Sequence, residues 1–562
     1  MNIIGIGGSN HDYSCCLLKN GRIICAIEEE RVSREKHAIG MKSQLLTGVD
    51  YCLDMCGLTE DDIDIVASNT LLNNSYISKK FKGQIVKISH HMAHASSSYY
   101  NSGMLNSVVL VVDGCGDNNG SDLYDTISCG YAENGKIKFE EIIRGEKKYY
   151  KDYLLSRQEF FKSIGKNSKE ELAIPFVDNS LGDLYAIITY FCSFGACNEG
   201  KVMGLAPYGS STYVKKMKQF VNIQTESKIQ LKISNKELID WLIDESKNLS
   251  SENEEQWRED IAFAVQEVLE NVIFQIMNYL YQKYQCENLC YSGGVALNSV
   301  LNGKIKEKTP FKNVFVFPAA GDSGTAFGAA QYCYHLFANQ KYMGNVLQTP
   351  YYGKSYTRDE IKEAIGLSQG IIATYFDSDE RLFSKLADEL ADNKIIGWFN
   401  GKCEFGPRAL GNRSILASPI DPKMKDILNS KVKFREAFRP FAPVVMKEFV
   451  SDFFDTDFPH NPYMLYVGNV KKNKYKYLGA VTHVDGSARL QTISYEQNKR
   501  YYKVIEEFYK KVGVPVLVNT SFNIKSQPIV ETPKEAIECL LNSDLDYVVI
   551  DNYLIERSMK SD

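Results

Sequence analysis

The sequence predicts an α/β protein with a duplicated N-terminal domain and a second α/β domain. Apolar strand segments alternate with helical segments along the 562-residue chain, and a strand–loop–hairpin pattern occurs twice in the first half. The alternation is interrupted once, by a polar segment near residue 350. A single hydrophobic core does not support a chain of this length. We therefore expect domains over residues 1–340 and 360–562, joined by a polar linker over residues 341–359.

The repeat in the first half has two copies with the same order of segments. In each copy an apolar strand leads into a loop, GGSNHD or DGCGDNNG, and then into two strands separated by Asn20-Gly21 or Asn134-Gly135. An Asn-Gly pair between such segments is a hairpin signal. The duplication predicts two lobes that face each other, the plan of the actin-like (ASKHA) ATPases, whose loops hold nucleotide phosphates.

The segments after the repeat continue the α/β pattern. Residues 254–284 carry apolar side chains at helical spacing, and strand–loop–helix units follow at residues 288–305 and 314–337. In the second domain the segments KIIGWF, VPVLVN and YVVIDN are typical of strands and alternate with Lys-rich helical segments. Both domains are therefore predicted to be α/β.

Composition and charge exclude several classes of function. The chain has 65 Lys and Arg against 70 Asp and Glu, a net charge of −5. It therefore lacks the excess positive charge that is typical of proteins that bind nucleic acid or an acidic membrane. It shows neither a signal peptide nor an apolar stretch approaching the ~18–20 residues that span a bilayer. Fourteen cysteines without a C-x-x-C pair favour free thiols. We expect a cytoplasmic protein, and a homodimer is left open.

Three of the eight histidines lie within five residues, in the segment ISHHMAHASSSYY. On a helix His90 and His94 stand one turn apart on the same face, so both imidazoles can reach one ion. Asp113 and Asp322 each follow an apolar strand and stand beside glycines, a placement that suits a metal or metal–phosphate complex. These four residues predict a divalent metal site. The alternatives are a solvated helix start for the histidines and a helix N-cap for Asp322.

Longer motifs resemble a known family. The segments HHMAHASSSYYNSG, VVDGCGD, PAAGDSGTAFGAA, EFGPRALGNRSILASP, FRPFAP and VNTSFN resemble the carbamoyltransferase family of nodulation and antibiotic-tailoring enzymes, over nearly the whole chain. The resemblance implies an actin-like domain of the Kae/TsaD type followed by a YrdC-like domain. It also implies that an Fe²⁺-type divalent metal is bound by His90, His94, Asp113 and Asp322.

The resemblance implies an O-carbamoyltransferase that works in two steps. Carbamoyl phosphate and ATP give carbamoyl adenylate in the second domain, and the first domain passes the carbamoyl group to a hydroxyl of a small-molecule acceptor, such as a sugar or natural product. His11, beside Asp12, is a candidate general base or transition-state stabiliser, and Lys36 could counter charge on the carbamoyl oxygen. For His11 the alternative is a structural loop histidine bonded by Asp12.

The candidate nucleotide-binding and phosphate-binding residues occur in both domains. In the first domain, glycines would let backbone N–H groups approach phosphate, and polar residues would line the cleft: Gly114, Gly116, Glu199, Lys201, Gly293, Gly294 and Asn298. In the second domain, basic side chains would bind phosphate oxygens: Lys402, Arg408, Arg413 and Arg439. Polar side chains after one strand would form hydrogen bonds with the adenylate: Asn519, Ser521 and Asn523. Arg435 and Arg489 are left open between ligand contact and surface ion pair.

The sequence departs from the family pattern at two places. Lys402-Cys403 replaces the usual Arg-Met, and Ser526-Gln527 stands where the family usually has Gly-Glu, which affects the geometry of that loop.

Three alternative functions remain open. They are an actin-fold kinase, a threonylcarbamoyl-type tRNA modification enzyme and a catalytically silent nucleotide-binding scaffold. The acceptor is not encoded in any motif, and we expect the loops at residues 147–176 and 203–213 to line its site.

Overall fold

The N-terminal half contains two mixed sheets with the same strand plan. The computed structural model describes residues 1–39, 47–72, 77–118, 120–150, 174–338 and 341–558. Within these residues the strands of this half are β1 Asn2–Gly7, β2 Ser14–Lys19, β3 Arg22–Glu28, β4 Ile65–Asn69, β5 Gln84–Ile88, β6 Asn106–Val112, β7 Leu123–Glu133, β8 Lys136–Tyr150, β9 Ile174–Val177, β10 Val221–Gln224, β11 Gln230–Ile233, β12 Asn288–Ser292 and β13 Asn313–Val316.

The two sheets have the orders β3-β2-β1-β4-β5 and β13-β12-β6-β7-β8-β9, with β10 and β11 forming a separate pair. β1 pairs antiparallel with β2 and parallel with β4, just as β6 pairs antiparallel with β7 and parallel with β12. Apart from β9, which is added at one edge, the sheets match strand for strand. The predicted duplication is therefore confirmed.

Both hairpins turn on the predicted Asn-Gly pairs. Asn20 and Gly21 have φ angles of 49° and 83°, and Asn134 and Gly135 have φ angles of 50° and 84°. Two consecutive left-handed residues make a type I′ turn, whose twist matches that of the flanking strands. The pairs join β2 to β3 and β7 to β8 in the same way.

The helices of this half lie around and between the two sheets. They are α1 Glu29–Ser33, α2 Thr47–Cys56, α3 Ile77–Lys80, α4 His90–Tyr99, α5 Leu181–Phe191, α6 Glu199–Leu205, α7 Val214–Met217, α8 Asn235–Lys247, α9 Glu254–Tyr284, α10 Ser299–Gly303, α11 Ile305–Lys308 and α12 Thr325–Phe337. α12 packs on β1 and β4, α4 packs on β6 and β12, and the two helices pack on each other. A Cβ on Gly328 of α12 would lie 1.7 Å from the Ala93 carbonyl oxygen, so glycine is needed for this approach. α9 confirms the predicted long helix.

The C-terminal half is built on an eight-stranded sheet. Its strands are β14 Ile371–Tyr375, β15 Ile396–Phe399, β16 Arg413–Ala417, β17 Ala442–Met446, β18 Phe454–Asp455, β19 Gly468–Val470, β20 Ser487–Ala488, β21 Gln491–Ile493, β22 Val516–Ser521, β23 Tyr547–Ile550 and β24 Tyr553–Arg557. The order is β14-β24-β23-β15-β16-β22-β17-β21, and β18, β19 and β20 form a smaller sheet. Its helices are α13 Arg358–Leu367, α14 Asp379–Ala391, α15 Met424–Ile427, α16 Val450–Phe453, α17 Lys499–Val512 and α18 Pro533–Leu541.

Residues 341–359, predicted as a linker, contact both halves. Leu347 N–H donates to the Asn101 carbonyl at 2.9 Å, and Phe405 N–H donates to the Pro350 carbonyl at 2.8 Å. The segment therefore joins the first half to the second through backbone hydrogen bonds. All fourteen cysteines are free thiols, and no helix among the described residues combines the length and apolar character needed to cross a bilayer.

A buried ion pair of the first half holds the second half at Gly406. Glu28 Oε1 accepts from Gly406 N–H at 3.0 Å, and Arg31 Nη2 donates to the Gly406 carbonyl at 2.7 Å. Arg31 also lies 3.1 Å from Glu28 Oε2, and both side chains are buried. The end of β3 and helix α1 are thereby bonded to the loop that precedes β16.

Replacing Arg31 by Met should lower the free energy of unfolding by about 3 kcal/mol, because the buried Glu28 carboxylate loses its cation. Arg22→Met is the matched control, since Arg22 is exposed at the start of β3. Urea unfolding followed by tryptophan fluorescence measures both variants. Equal stability of Arg31→Met and Arg22→Met would contradict this role of the buried pair.

Candidate active site

Helix α4 presents two histidines to two carboxylates at strand ends. The Ser89 hydroxyl caps the helix, whose first turns place His90 and His94 on one face. His90 Nε2 lies 3.2 Å from Asp113 Oδ2 and 3.5 Å from Asp322 Oδ1, and His94 Nε2 lies 3.6 Å from the same Asp322 oxygen. One ligand atom from each of the four residues lies within 4.8 Å of the others. The structure thus brings together all four residues predicted as metal ligands.

Donors on the far side fix the two carboxylates. Gly294 N–H donates to Asp113 Oδ1 at 3.1 Å, and the Ser9 hydroxyl donates to Asp322 Oδ2, so the second oxygen of each faces the histidines. Burial acts to raise the pKa of both carboxyls, but contacts with His90 outweigh it and lower both pKa values. Two imidazole nitrogens and two carboxylate oxygens around one point suit iron, zinc and related divalent ions, so the residues fit the ion that the resemblance implies.

The predicted glycines have distinct structural roles. Gly293 has φ +93°, and a Cβ there would lie 2.2 Å from the backbone of β6. Gly114 lies against the start of α5, and a Cβ on Gly116 would lie 2.7 Å from His91 Nε2. His91 itself is bonded through Nδ1 to the Ser128 hydroxyl at 2.7 Å, and burial lowers its pKa to about 3. His91 is thus held by β7, away from the ligand set.

His11 lies beside the predicted metal ligands, and Asp12 contacts His11. His11 Nε2 is 4.0 Å from Asp322 Oδ2, and its Nδ1 is 3.0 Å from Asp12 Oδ2. The other Asp12 oxygen is 2.9 Å from Nδ1 of His37, which sequence reasoning missed although it follows the predicted Lys36. Burial opposes charge on His11, but Asp12 and Asp322 outweigh it and raise the pKa of His11 to about 10.

Lys36, Glu199 and Lys201 border the same region. Lys36 is exposed just after α1, and Glu199 is half-buried at the start of α6. Burial raises the pKa of Glu199, while the charge of His11 acts to lower it. Lys201 pairs with Glu436 of the C-terminal half at 3.0 Å. Lys201, predicted to line the nucleotide cleft, is therefore a contact between the two halves.

Four arginines of the C-terminal half repel one another. Burial and then the charge of Arg439 lower the pKa of Arg408 to about 10 and that of Arg435 to about 9. Burial and these three arginines lower the pKa of Arg489. Glu436 lies 3.8 Å from Arg439, and the Nε atoms of Arg408 and Arg489 are buried without a hydrogen-bond partner among the described residues. These four arginines, the arginine cluster, carry positive charge that Glu436 offsets only in part, and such charge suits a polyphosphate ligand.

Lys433 adds a cation that sequence reasoning missed. Its Nζ donates to Asn523 Oδ1 at 2.7 Å and to the Ser521 hydroxyl at 3.2 Å. Burial and then Arg435 lower the pKa of Lys433. Ser521 and Asn523, predicted to bind the adenylate, thus hold this lysine. The basic sequence Lys433-Phe434-Arg435 was the available signal.

Three other predicted ligand residues, Arg413, Asn298 and Asn519, form hydrogen bonds within the fold. Arg413 is buried and donates at 3.0–3.1 Å to the backbone carbonyls of Asn400, Gly401 and Asn412. Asn298 caps α10 and pairs with Gln266 at 2.8 Å. The Asn519 amide donates to a backbone carbonyl at 3.1 Å, and Lys402 is exposed. Arg413 and Asn298 in particular have polar groups that are already bonded within the protein, and their ligand roles stay predictions.

Comparison with known proteins covers both halves. Residues 2–71 and 65–331 match the family model described as carbamoyltransferase N-terminus, and residues 387–557 match the one described as carbamoyltransferase C-terminus. The chain belongs to the carbamoyltransferase family. The nodulation protein NolNO of Sinorhizobium fredii is 33% identical over 98% of this chain and 80% of its own length. An uncharacterised protein of Synechocystis is 31% identical over 99% of this chain and 97% of its own length.

Among solved structures, full-length HypF in the phosphate- and nucleotide-bound form is similar with a TM-score of 0.41 and 15% identity, over 60% of this chain and 56% of that chain. This likeness is too slight to support an inference.

One departure from the carbamoyltransferase pattern has a visible structural context. Ser526 has φ +63°, a conformation that glycine adopts without steric cost, which accounts for the glycine usual in the family. The carbonyl of the neighbouring Gln527 accepts from Asn523 Nδ2 at 2.6 Å. The altered loop therefore still holds Asn523, and through it Lys433.

His94→Ala should weaken binding of Fe²⁺ or Zn²⁺ by more than about 100-fold, because one of four ligands is lost. His91→Asn is the control, since its amide can still bond Ser128 and His91 does not face the ligand set. Anaerobic calorimetry and metal analysis of the purified chain measure binding. A tightly bound ion in His94→Ala, or its loss in His91→Asn, would contradict the assignment.

Two arginines of one motif should respond in opposite ways. Arg408→Met should weaken binding of a non-hydrolysable ATP analogue by about tenfold to a hundredfold, because a charged hydrogen bond is lost, and should not lower Tm, because repulsion is relieved. Arg413→Met should destabilise the chain by about 3 kcal/mol, because it leaves buried carbonyls unpaired. Calorimetry and thermal melts measure both, and the reverse outcome would exchange the two roles.

Proposed function

We propose that this carbamoyltransferase forms carbamoyl adenylate from carbamoyl phosphate and ATP and transfers the carbamoyl group to a hydroxyl of a small-molecule acceptor. One observation carries the proposal: the chain holds an arginine cluster in one half and a histidine–carboxylate cluster in the other, joined through the segment at residues 28–37. The first suits phosphates and the second a divalent cation. Passing a phosphate-activated group to a hydroxyl uses both.

The donor step fits the arginine cluster, in the half that we propose to be YrdC-like. Both substrates are strongly anionic, and guanidinium groups offer paired donors to phosphate oxygens. Water releases carbamate and phosphate from carbamoyl phosphate. A carbamate oxygen then bonds to the α-phosphorus of ATP, and the bond to pyrophosphate breaks. The arginines would hold the anions together and stabilise the departing pyrophosphate.

The transfer step fits the histidine–carboxylate cluster. The acceptor oxygen bonds to the carbamoyl carbon, the bond from that carbon to the adenylate oxygen breaks, and AMP leaves. A divalent cation such as Fe²⁺, bound by the four ligands, would polarise the carbamoyl carbonyl and cancel the carboxylate charge that raises the pKa of His11. His11 Nε2 would take up the hydroxyl proton, and Lys36 would face the charge that develops on the carbamoyl oxygen.

The acceptor is proposed as a class, a sugar or natural-product alcohol, with no nucleic acid involved. Of the loops expected to line its site, residues 151–173 lie outside the described residues. Residues 203–213 form the end of α6 and two short helical turns after it. Tyr208 in this segment has its ring centroid 6.4 Å from that of Phe438, the neighbour of Arg439. The segment therefore lies beside the arginine cluster, a placement that supports a role in receiving the carbamoyl group.

Product analysis tests the proposal and separates it from a kinase. With carbamoyl phosphate, ATP, Fe²⁺ and a panel of hydroxyl compounds, the chain should release AMP and pyrophosphate and add one carbamoyl group to an acceptor, as measured by mass spectrometry. His94→Ala should still release pyrophosphate without transfer, whereas Arg408→Met should slow both pyrophosphate release and transfer.

ADP with a phosphorylated acceptor would identify a kinase instead. Loss of pyrophosphate release in both variants would contradict the separation of the two steps between the two halves.

A further inference from the structure

A chain of hydrogen bonds runs from His37 through Asp12 to His11. His37 Nδ1 is 2.9 Å from Asp12 Oδ1, and His11 Nδ1 is 3.0 Å from Asp12 Oδ2. Each carboxylate oxygen thus has its own imidazole. A carboxylate held at one oxygen can still turn about its Cβ–Cγ bond, whereas two donors on different oxygens fix its plane.

The backbone around His37 is held in an unusual conformation. His37 and Asp12 have φ angles of 59° and 52°, in the left-handed region that costs roughly 1–2 kcal/mol for a residue with a side chain. Asp12 N–H donates to the His37 carbonyl at 2.7 Å, and His37 N–H donates to Glu30 Oε2 at 2.8 Å. His37 therefore contacts Asp12 through both its backbone and its side chain.

These contacts orient the ring of His11. Its Nδ1 lies 3.0 Å from Asp12 Oδ2, so Nε2 is the nitrogen directed at Asp322, 4.0 Å away. A carboxylate that is held in place accepts from Nδ1–H and leaves Nε2 free to take up a proton. The same logic orients the imidazole of hydrolase triads, where a carboxylate selects the tautomer.

We propose that His37 is a positioning residue for carbamoyl transfer: it fixes the Asp12 carboxylate and, through Asp12, directs Nε2 of His11 at the metal ligands. The inference rests on the proposed function, since the transfer step gives His11 its role. In that step the acceptor proton passes to Nε2, the carbamoyl carbon gains a bond to the acceptor oxygen, and AMP leaves with the former bridging oxygen.

The test compares His37→Asn, which keeps a donor near the Nδ1 position, with His37→Leu, which removes it. The 562-residue chain carries eight histidines, so histidine-selective ¹³C and ¹⁵N labelling can separate their rings. His11 is identified by the signal lost in His11→Gln, and Zn²⁺ serves as a diamagnetic probe ion. Wild type and His37→Asn should show His11 protonated at Nδ1, whereas His37→Leu should show both tautomers in exchange.

A double substitution and the transfer reaction supply further readouts. In an Asp12→Asn background His37→Leu should change the His11 signal no further, since both act through one contact. His37→Leu should slow transfer to the acceptor found by product analysis by about tenfold to a hundredfold, with pyrophosphate release unchanged, and His37→Asn should restore most of the rate.

An unchanged His11 signal in His37→Leu would overturn the inference. Equal changes in His37→Asn and His37→Leu, in step with a lower Tm, would also overturn it, since they would show a structural role alone. If His11 responds as expected but no carbamoyl product forms, the proposed function fails and the positioning by His37 stands.

Discussion

The backbone of Gly406 is bonded on both sides by buried side chains of the other half, and the two candidate sites depend on this contact. Glu28 and Arg31 precede Lys36 and His37 by a few residues, and Gly406 precedes Arg408 by two. Removing one partner of a buried ion pair is strongly destabilising. Loss of either Glu28 or Arg31 should therefore disrupt the whole contact with Gly406. The segment that contacts Asp12 and the first arginine of the arginine cluster are therefore placed by the same few hydrogen bonds.

The two sites gather like charges of opposite sign. The histidine–carboxylate cluster contains two buried carboxylates, Asp113 and Asp322, and the arginine cluster gathers cations with Glu436 close to one of them. Like charges repel in a buried setting, and contacts with His90 offset this repulsion for the two carboxylates. Perturbed groups of this kind concentrate at functional sites. A bound cation at one site and a bound polyphosphate at the other would each remove repulsion and stabilise the chain through binding.

Local signals in the sequence predicted much of this arrangement. The Asn-Gly hairpins, the helix that begins at His90 and the metal-ligand set each depend on spacing within a short segment. The roles of Arg408 and Arg413 could not be separated in this way, although one motif contains both. Arg413 starts β16 and is enclosed by backbone carbonyls, while Arg408 lies in the loop before it. Lys433 was missed for a related reason, because its oxygen partners lie about 90 residues along the chain.

The duplication explains why the four predicted metal ligands converge at one point. The loop after β1 carries His11 and Asp12, and the loop after β6, its counterpart in the second copy, carries Asp113. The segment after β5 begins α4 with its two histidines, and the segment after β13 leads through Asp322 into α12. Because α4 and α12 pack on each other between the two sheets, equivalent loops of the two copies must meet. Each copy thus supplies two of the four predicted ligands. The duplication places the ends of four loops together. The side chains on those loops then differ between the copies, so that one copy carries the two histidines and the other carries the two carboxylates.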